Sequence, residues 1–212
     1  MNPAFEFVRY ALSIGALELV PNLRRLKSGR LSPYFFNSGL FCTGSTITML
    51  AKAYVGAIWK DFSPDVIFGP SYKGSAIAVA VVQCHGGDVE YAYNRKEAKD
   101  HGEGGIIIGA SLKGKKVVLV DDVMTSGGSL AEAVDIVRTA GGNPIGCAIA
   151  FDRQECGRDS KFSAVQDFES RYDIPVLAAA TFADLIGVVQ ASDNDISFIL
   201  PQLLEYKKEW GV

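Results

Sequence analysis

Two adjacent carboxylates follow a short apolar run near the middle of the chain. Residues 117–120 are Val, Val, Leu and Val, Asp121 and Asp122 come next, and residues 125–129 are rich in hydroxyl groups and glycine. In an open α/β sheet, ligands bind beyond the carboxyl ends of the strands. Backbone N–H groups at the start of a helix suit a phosphate, whereas paired carboxylates accept hydrogen bonds from neutral hydroxyls. The segment therefore predicts a sugar phosphate site, with the pentose on the acids and the phosphate in the loop.

A second polar loop follows another predicted strand. Residues 69–74 are Gly-Pro-Ser-Tyr-Lys-Gly and precede a predicted helix, which places Lys73 at the same edge of the sheet. A lysine there can neutralise a second phosphate group. Neither loop is a Walker A motif, because the string Gly-x-x-x-x-Gly-Lys-Ser/Thr occurs nowhere in the sequence.

The densest run of cations lies at residues 95–105. It contains Arg95, Lys96, Lys99 and His101 among several glycines. Taken alone, such a run is more typical of a solvated, charged hairpin. Beside two phosphate-binding loops it also fits a mobile lid, whose cations would face the charge of a leaving pyrophosphate.

Three further signals lie outside these loops, and each is weak alone. Lys27 lies in Leu-Lys-Ser-Gly-Arg, and Phe35 and Phe36 lie in Ser-Pro-Tyr-Phe-Phe-Asn. Because side chains alternate along a strand, the two rings cannot both enter one core, and one is free to stack on a flat ring. Arg153 follows another predicted strand, again at a carboxyl end, whereas His85 fits a helix end.

The elements that must position these residues alternate between strand and helix. The predicted strands are residues 65–68, 89–94, 117–120, 145–150 and 176–179, and the predicted helices are residues 5–14, 43–60, 73–84, 126–140, 163–172, 182–189 and 193–206. Residues 26–40 are predicted as short extended pieces and residues 97–105 as a loop. This order predicts an α/β fold with a doubly wound, mostly parallel sheet flanked by helices.

Length and composition fit one α/β domain. The chain has 212 residues, a net charge of −3 and no apolar stretch long enough to cross a bilayer. We divide it into an N-terminal helix and hood, residues 1–40, and a core, residues 41–212, within one structural domain. The negative charge argues against nucleic acid and membranes as partners. Four scattered cysteines, and charged residues where a signal peptide would be apolar, predict a cytoplasmic protein.

Taken together, four strings resemble the orotate phosphoribosyltransferases, a family of type I phosphoribosyltransferases. They are Val-Asp-Asp-Val-Met-Thr-Ser-Gly-Gly-Ser, Arg-Lys-Glu-Ala-Lys-Asp-His-Gly-Glu-Gly, Ser-Pro-Tyr-Phe-Phe-Asn and Gly-Pro-Ser-Tyr-Lys-Gly. The resemblance implies transfer of the 5-phosphoribosyl group from phosphoribosyl pyrophosphate to orotate, giving orotidine 5′-monophosphate and pyrophosphate in the de novo synthesis of UMP. It also implies a small N-terminal hood, Mg²⁺ held through substrate oxygens and water, and a homodimer whose lid residues complete the neighbour's site.

The same resemblance implies roles for individual residues. The residues expected to act in catalysis are Lys99, His101, Asp121 and Asp122. Those expected to bind phosphoribosyl pyrophosphate are Lys27, Tyr72, Lys73, Arg95, Lys96, Lys99, His101, Asp121, Asp122, Val123, Met124, Thr125, Ser126, Gly127, Gly128 and Ser129. Those expected to bind orotate are Lys27, Phe35, Phe36, Thr125 and Arg153. The peptide bond between Ser71 and Tyr72 is expected to be cis.

Two other functions remain open. A sister transferase for adenine or a 6-oxopurine would share the paired acids, but it has no obvious use for Lys27, the two Phe residues or this lid. A non-catalytic sensor of phosphoribosyl pyrophosphate would lose the lid and often carry an added DNA-binding segment. The lid residues are present, no helix-turn-helix pattern precedes Leu26, and the net charge is negative.

Overall fold

The N-terminal part of the chain forms a helix and a hairpin. The computed structural model describes residues 2–26, 28–99, 105–125, 127–157, 160–192 and 196–212, except the side chains of residues 98 and 99. Helix α1 (Pro3–Ser13) leads into strand β1 (Leu17–Arg25), which pairs with strand β2 (Leu31–Phe36) in a two-stranded antiparallel sheet. The sequence analysis does not predict β1, because the pairing is irregular between Leu19 and Arg24 and the strand lacks a regular apolar alternation.

A six-stranded sheet forms the centre of the molecule. Its strands are β3 (Val66–Gly69), β4 (Glu90–Lys99), β5 (Gly105–Gly109), β6 (Lys116–Asp121), β7 (Asn143–Asp152) and β8 (Val176–Thr181). Their spatial order is β5-β4-β3-β6-β7-β8, and every neighbouring pair is parallel except β4 and β5. The predicted α/β fold with a doubly wound, mostly parallel sheet is therefore confirmed.

Helices cover both faces of this sheet. They are α2 (Gly44–Asp61), α3 (Lys73–His85), α4 (Gly128–Thr139), α5 (Ala164–Tyr172), α6 (Phe182–Gln190) and α7 (Leu200–Trp210). Strand β6 is buried on both sides, as a central parallel strand must be. Val118 and Val120 face the hood and helices α1, α2, α3, α6 and α7, whereas Val117 and Leu119 face α4 and α5. Tyr34 and Phe36 belong to the first of these cores, so the hood shares its core with the sheet.

Two predicted boundaries are wrong. Residues 97–99 do not belong to a loop, because β4 continues to Lys99 and pairs with the short antiparallel strand β5. The helix predicted at residues 193–206 begins only at Leu200, after a short 3-10 turn at Ser197–Ile199. Pro201 lies in the first turn of α7, where its missing N–H costs nothing. Residues 193–195 lie outside the described residues.

Candidate active site

The site lies where the order of the strands reverses. The chain passes from β3 to β4 on one side and resumes with β6 on the other side of β3. The parallel neighbours β3 and β6 therefore send their loops in opposite directions. Such a switch point leaves a crevice at the carboxyl ends of the strands, which is the usual ligand site of an open α/β sheet.

The loop after β3 approaches β6 closely. A Cβ atom on Gly69 would lie 1.9 Å from the carbonyl oxygen of Gly74, and a Cβ atom on Gly74 would lie 2.7 Å from the carbonyl oxygen of Val120. Both contacts are with backbone and cannot relax easily. The two glycines that bound this loop are therefore required for it to reach the crevice.

Asn94 of β4 fastens the same loop. Its Oδ1 accepts a hydrogen bond from the Ser71 N–H group at 3.1 Å, and its carbonyl oxygen accepts one from the Ser71 hydroxyl. The peptide bond between Ser71 and Tyr72 is cis, as the resemblance implies. The sequence analysis missed Asn94, because nothing in a single asparagine at a strand end indicates the loop that it will hold.

Lys73 and Asp122 form an ion pair between the two loops. Lys73 Nζ lies 2.6 Å from Asp122 Oδ2 and donates to Ser38 Oγ at 3.0 Å, while Ser38 Oγ donates to the same carboxylate oxygen. The Asp122 side chain is 11% exposed, but the Lys73 side chain is 60% exposed. Because the ammonium is largely in solvent, which screens its attraction to the carboxylate, a ligand can replace it. The sequence analysis did not identify Ser38.

Asp121 lies in surroundings that disfavour its ionised form. Burial raises the pKa of Asp121 to about 6, and a hydrogen bond from the Asp122 N–H group to Asp121 Oδ1, at 2.9 Å, acts in the opposite direction. The Asp121 carbonyl oxygen accepts a hydrogen bond from the Tyr54 hydroxyl at 2.6 Å. Burial raises the pKa of Tyr54 well above its usual range, so this hydroxyl keeps its proton and remains a donor. Tyr54 is a third residue that the sequence analysis missed, after Asn94 and Ser38.

The loop after Asp122 ends at the start of α4. Gly127 precedes the helix with φ +72°, a left-handed conformation that favours glycine, and it has no side chain to cap the first turn. The N–H groups at the start of a helix need partners and favour an anion. A cavity of about 50 Å³ lies here, lined by Asp121, Val123, Met124, Thr125, Gly127, Gly128, Ser129 and Leu130. Ser126 lies outside the described residues.

The cationic run begins beside the loop after β3. Lys96 Nζ lies 4.6 Å from the centroid of the Tyr72 ring, and the Tyr72 side chain projects from the surface with 72% exposure. Arg95 Nη1 lies 3.5 Å from the Gly105 carbonyl oxygen. His101 and the side chain of Lys99 lie outside the described residues, so their predicted places on a lid remain predictions.

The two phenylalanines of β2 point in opposite directions, as the alternation predicts. Phe36 packs in the core, with its ring centroid 5.4 Å from that of Phe151. Phe35 is half-buried on the other face, where the guanidinium carbon of Arg24 lies 4.0 Å from its ring centroid. Phe35 is therefore the partly exposed ring. Lys27, predicted to lie near it, is outside the described residues.

Arg153 lies just beyond β7, the neighbour of β6. Its guanidinium carbon lies 4.3 Å from the centroid of the Tyr34 ring, and its Nη2 donates to Ser32 Oγ at 3.2 Å. Ser32, Tyr34 and Phe36 share one face of β2, so Arg153 and the Phe35 ring lie on opposite faces of the hairpin. The structure thus brings Lys73, Asp121, Asp122 and the loop into α4 to one crevice, with Arg153 at the strand end next to it.

The described parts of the chain contain neither a metal-binding cluster nor a membrane-spanning helix. No group of three or more His, Cys, Asp or Glu side chains among those residues could hold a metal ion. None of the helices described has the length and the apolar character needed to cross a membrane.

Comparison with known proteins defines the class first. The family model of the phosphoribosyl transferase domain matches residues 45–179, which include both loops of the crevice. An orotate phosphoribosyltransferase of Bordetella avium is 44% identical, with 100% of this chain and 99% of the relative aligned. One of Thioalkalivibrio sulfidiphilus is 43% identical over 98% of this chain and 97% of the relative. The crystal structure of the Francisella tularensis orotate phosphoribosyltransferase superposes with a TM-score of 0.87 at 34% identity, covering 98% of this chain and 100% of that chain. The chain belongs to the orotate phosphoribosyltransferase family.

Proposed function

We propose that the crevice between β3 and β6 is where this member of the family transfers the 5-phosphoribosyl group from phosphoribosyl pyrophosphate to orotate. The products are orotidine 5′-monophosphate and pyrophosphate, in the biosynthesis of pyrimidines. One observation carries the assignment of the site. Asp121 and Asp122 lie directly before the uncapped start of α4, and Lys73 pairs with Asp122 at 2.6 Å.

The sugar phosphate would use this arrangement in two parts. The 5′-phosphate would bind residues 125–129, because this segment leads into the uncapped start of α4, where backbone N–H groups favour an anion. The ribose hydroxyls would donate to Asp121 and Asp122. A hydroxyl that takes Asp122 displaces Lys73, and the released ammonium can then pair with the diphosphate. Lys73 thus supplies a cation to the leaving group, and no further positive charge has to enter the crevice.

The remaining cations would act on the leaving group. Departure of pyrophosphate from C1 of the ribose breaks a C–O bond, leaves positive charge on the ring and places negative charge on the diphosphate. Cations aimed at the developing charge stabilise this transition state. Arg95, Lys96, Lys99 and His101 would supply them, with Tyr72 at the base of the lid. Closure would also exclude water, which would otherwise capture the sugar.

Magnesium fits the site as a partner of the substrate. Mg²⁺ retains several waters and favours phosphate oxygens, so it does not require a cage of protein ligands. Asp121 and Asp122 are the oxygen donors nearest to the ribose, and would reach the ion through hydroxyl groups or water. When bound, Mg²⁺ neutralises charge on the diphosphate.

The base would bind at the backbone edge of β2, beside Arg153. β2 pairs with β1 along one edge, so the backbone groups of its other edge lie outside that two-stranded ladder. The planar orotate ring carries both carbonyl oxygens and an N–H group, which can pair with the backbone of Phe35 and Phe36. Arg153, Lys27 and Thr125 would hold its oxygens. The new bond joins ring nitrogen N1 of orotate to C1 of the ribose as the C–O bond to pyrophosphate breaks, and the proton of N1 would pass to the departing pyrophosphate or to water.

The reaction itself can be followed by the absorbance of orotate. Orotate should be consumed only when phosphoribosyl pyrophosphate and Mg²⁺ are both present. Adenine, hypoxanthine and uracil, supplied instead of orotate, should give no product. Consumption of a purine would identify a transferase for that base, and no consumption of any base would favour a non-catalytic sensor of phosphoribosyl pyrophosphate.

The homodimer requires a separate test. Asp122→Asn removes a residue of the crevice, and Lys99→Ala removes a residue of the lid. If the lid completes the neighbour's site, each variant alone is nearly inactive. A refolded equal mixture should then recover about a quarter of the wild-type rate, because half of the dimers are hybrids with one intact site. A mixture as inactive as the separate variants would show that each lid serves its own subunit.

The thiols of the chain bear on the compartment in which it works. Cys42, Cys84, Cys147 and Cys156 are all free thiols. Free thiols suit a reducing compartment, and we therefore assign the reaction to the cytoplasm.

A further inference from the structure

A second carboxylate, Glu155, lies three residues beyond the end of β7 and is nearly buried in a cluster of its own. Four side chains contact this carboxylate: Arg30, Tyr34, Arg153 and Tyr206. We refer to them, with Glu155 and Ser32, as the Glu155 cluster. The Glu155 side chain is 11% exposed, and those of Arg153 and Arg30 are 14% and 9% exposed. None of the motifs that indicate the function includes Glu155, so its role has to come from its contacts.

Glu155 is the shared acceptor of Arg30, Tyr34, Arg153 and Tyr206. Its Oε1 accepts hydrogen bonds from the hydroxyls of Tyr34, at 3.1 Å, and Tyr206, at 2.9 Å. The same oxygen lies 2.5 Å from Arg153 Nη2, and Oε2 lies 3.4 Å from Arg30 Nη1. Burial raises the pKa of Tyr206 to about 12 and that of Tyr34 above its usual range, so both phenols remain donors. One carboxylate thereby joins the hood, the end of β7 and α7.

These contacts fix Arg153 through one nitrogen. Every hydrogen bond or ion pair between Arg153 and the described residues uses Nη2, whose partners are Glu155, Ser32 and the Tyr206 hydroxyl. The planar group also lies over the Tyr34 ring. A guanidinium held at one corner and on one face cannot rotate freely, so Nη1 and Nε keep a constant direction. Such a group loses little conformational entropy when it binds a ligand.

We propose that Glu155 is a positioning residue that holds Arg153 with Nη1 and Nε directed to the anionic base. The proposal rests on the assignment of Arg153 to orotate made above. Glu155 sets the affinity for the base through geometry, although its own charge repels an anion. The cluster keeps a net charge of +1, because two guanidinium groups face one carboxylate and the phenols are neutral.

Geometry and charge make opposite predictions for Glu155→Gln. This variant keeps the shape and one acceptor oxygen but removes the negative charge. If the cluster acted only through its field, the variant would bind orotate more tightly. Because Glu155 instead orients Arg153, we expect the KM for orotate to rise about tenfold or more, with the KM for phosphoribosyl pyrophosphate and the kcat at saturating orotate within about threefold of wild type.

Three further variants make the test decisive. Glu90→Gln removes another carboxylate–ammonium pair, with Lys115, at the far end of β4, and should leave both KM values unchanged. Glu155→Asp keeps the charge and should restore part of the affinity for orotate. Tyr206→Phe keeps the ring but removes one donor to Glu155, and it should raise the KM for orotate about threefold even if Glu155→Gln does not fold.

The outcomes separate this inference from the function on which it rests. An unchanged or lower KM for orotate in Glu155→Gln, or an equal rise in both KM values, would overturn the positioning role. If wild type consumes orotate but Arg153→Lys keeps the normal KM for orotate, the assignment of Arg153 fails and the role of Glu155 fails with it. If wild type consumes no orotate, the proposed function itself is wrong.

Discussion

The two carboxylates Asp122 and Glu155 are both nearly buried, yet they are held in opposite ways. Among the described residues, Asp122 contacts one cation, Lys73, whose side chain is largely exposed, and one hydroxyl, Ser38. Glu155 contacts two guanidinium groups and two phenols, all of them at least half-buried. A ligand hydroxyl can replace the partners of Asp122. The partners of Glu155 are largely buried side chains, which a ligand hydroxyl cannot replace while the fold is intact.

The contrast separates a binding group from a supporting group. A carboxylate with a loosely held cation is ready to accept a substrate, and its loss should affect the rate more than the stability. A carboxylate enclosed by cations balances buried charge, and removing one member of such a group leaves the others uncompensated.

Glu155→Ala should have the largest effect, on stability. The substitution leaves Arg30 and Arg153 buried without their shared anion. We expect the free energy of unfolding to fall by about 3–5 kcal/mol, the usual cost of breaking a buried ion pair. Urea denaturation followed by circular dichroism would measure it. A loss below about 1 kcal/mol would show that water already reaches the cluster.

Asp122→Asn should have an effect of similar size on the rate, with little on stability. The amide cannot accept from the ribose hydroxyl as an anion does, so kcat/KM should fall about 10²–10³-fold, the scale of one transition-state contact. The unfolding free energy should change by less than about 1 kcal/mol, because the lost partner is an exposed ammonium. The same denaturation experiment and the orotate assay provide both numbers. A large loss of stability would place Asp122 in the same class as Glu155.

Asp121→Asn should stabilise the free protein in a pH-dependent way. The carboxyl has a pKa of about 6 in the folded protein and an ordinary, lower pKa when unfolded. The folded state therefore binds the proton more tightly, and the wild type loses stability as the pH rises through the interval between the two values. At pH 7.5 the variant should melt about 5–10 °C above wild type while losing activity. At pH 4 the two melting temperatures should converge, and a constant difference would assign the effect to another cause.

Phe35→Leu should have the smallest effect. The Phe35 ring lies on the face of β2 opposite Arg153, and we assign the base to the backbone edge of the strand. We expect kcat/KM for orotate to change by less than about threefold, with normal stability, in the same assay. A loss above tenfold would show that the ring stacks on orotate.

The crevice could be predicted from the sequence because its signal is local. The apolar run, the paired acids and the glycine-rich start of α4 are continuous in the chain. Their place in the fold follows because ligands of an open α/β sheet bind at the carboxyl ends of its strands. The Glu155 cluster could not be predicted in this way. Arg30 and Glu155 are 125 residues apart, and nothing in either neighbourhood specifies the partner.

The missed elements have similar causes. Strand β5 is five residues long and bounded by glycines, and it exists because β4 offers it an antiparallel edge. Ser38 and Tyr54 are ordinary residues of a short turn and a helix, and their contacts with the acids depend on tertiary packing. A single sequence carries no pattern that pairs them with Asp121 and Asp122. Local chemistry was therefore predictable, whereas the residues that support it were not.

Ser38 connects the end of β2, where we place the base, with Asp122, where we place the ribose. It comes two residues after Phe36, and its hydroxyl occupies the carboxylate that we assign to the ribose. A bound sugar competes with Ser38 for Asp122. The hydrogen bond that holds the segment after β2 is therefore lost when the sugar pocket is occupied. By thermodynamic reciprocity, the factor by which the activated sugar changes the dissociation constant of orotate equals the factor by which orotate changes that of the sugar.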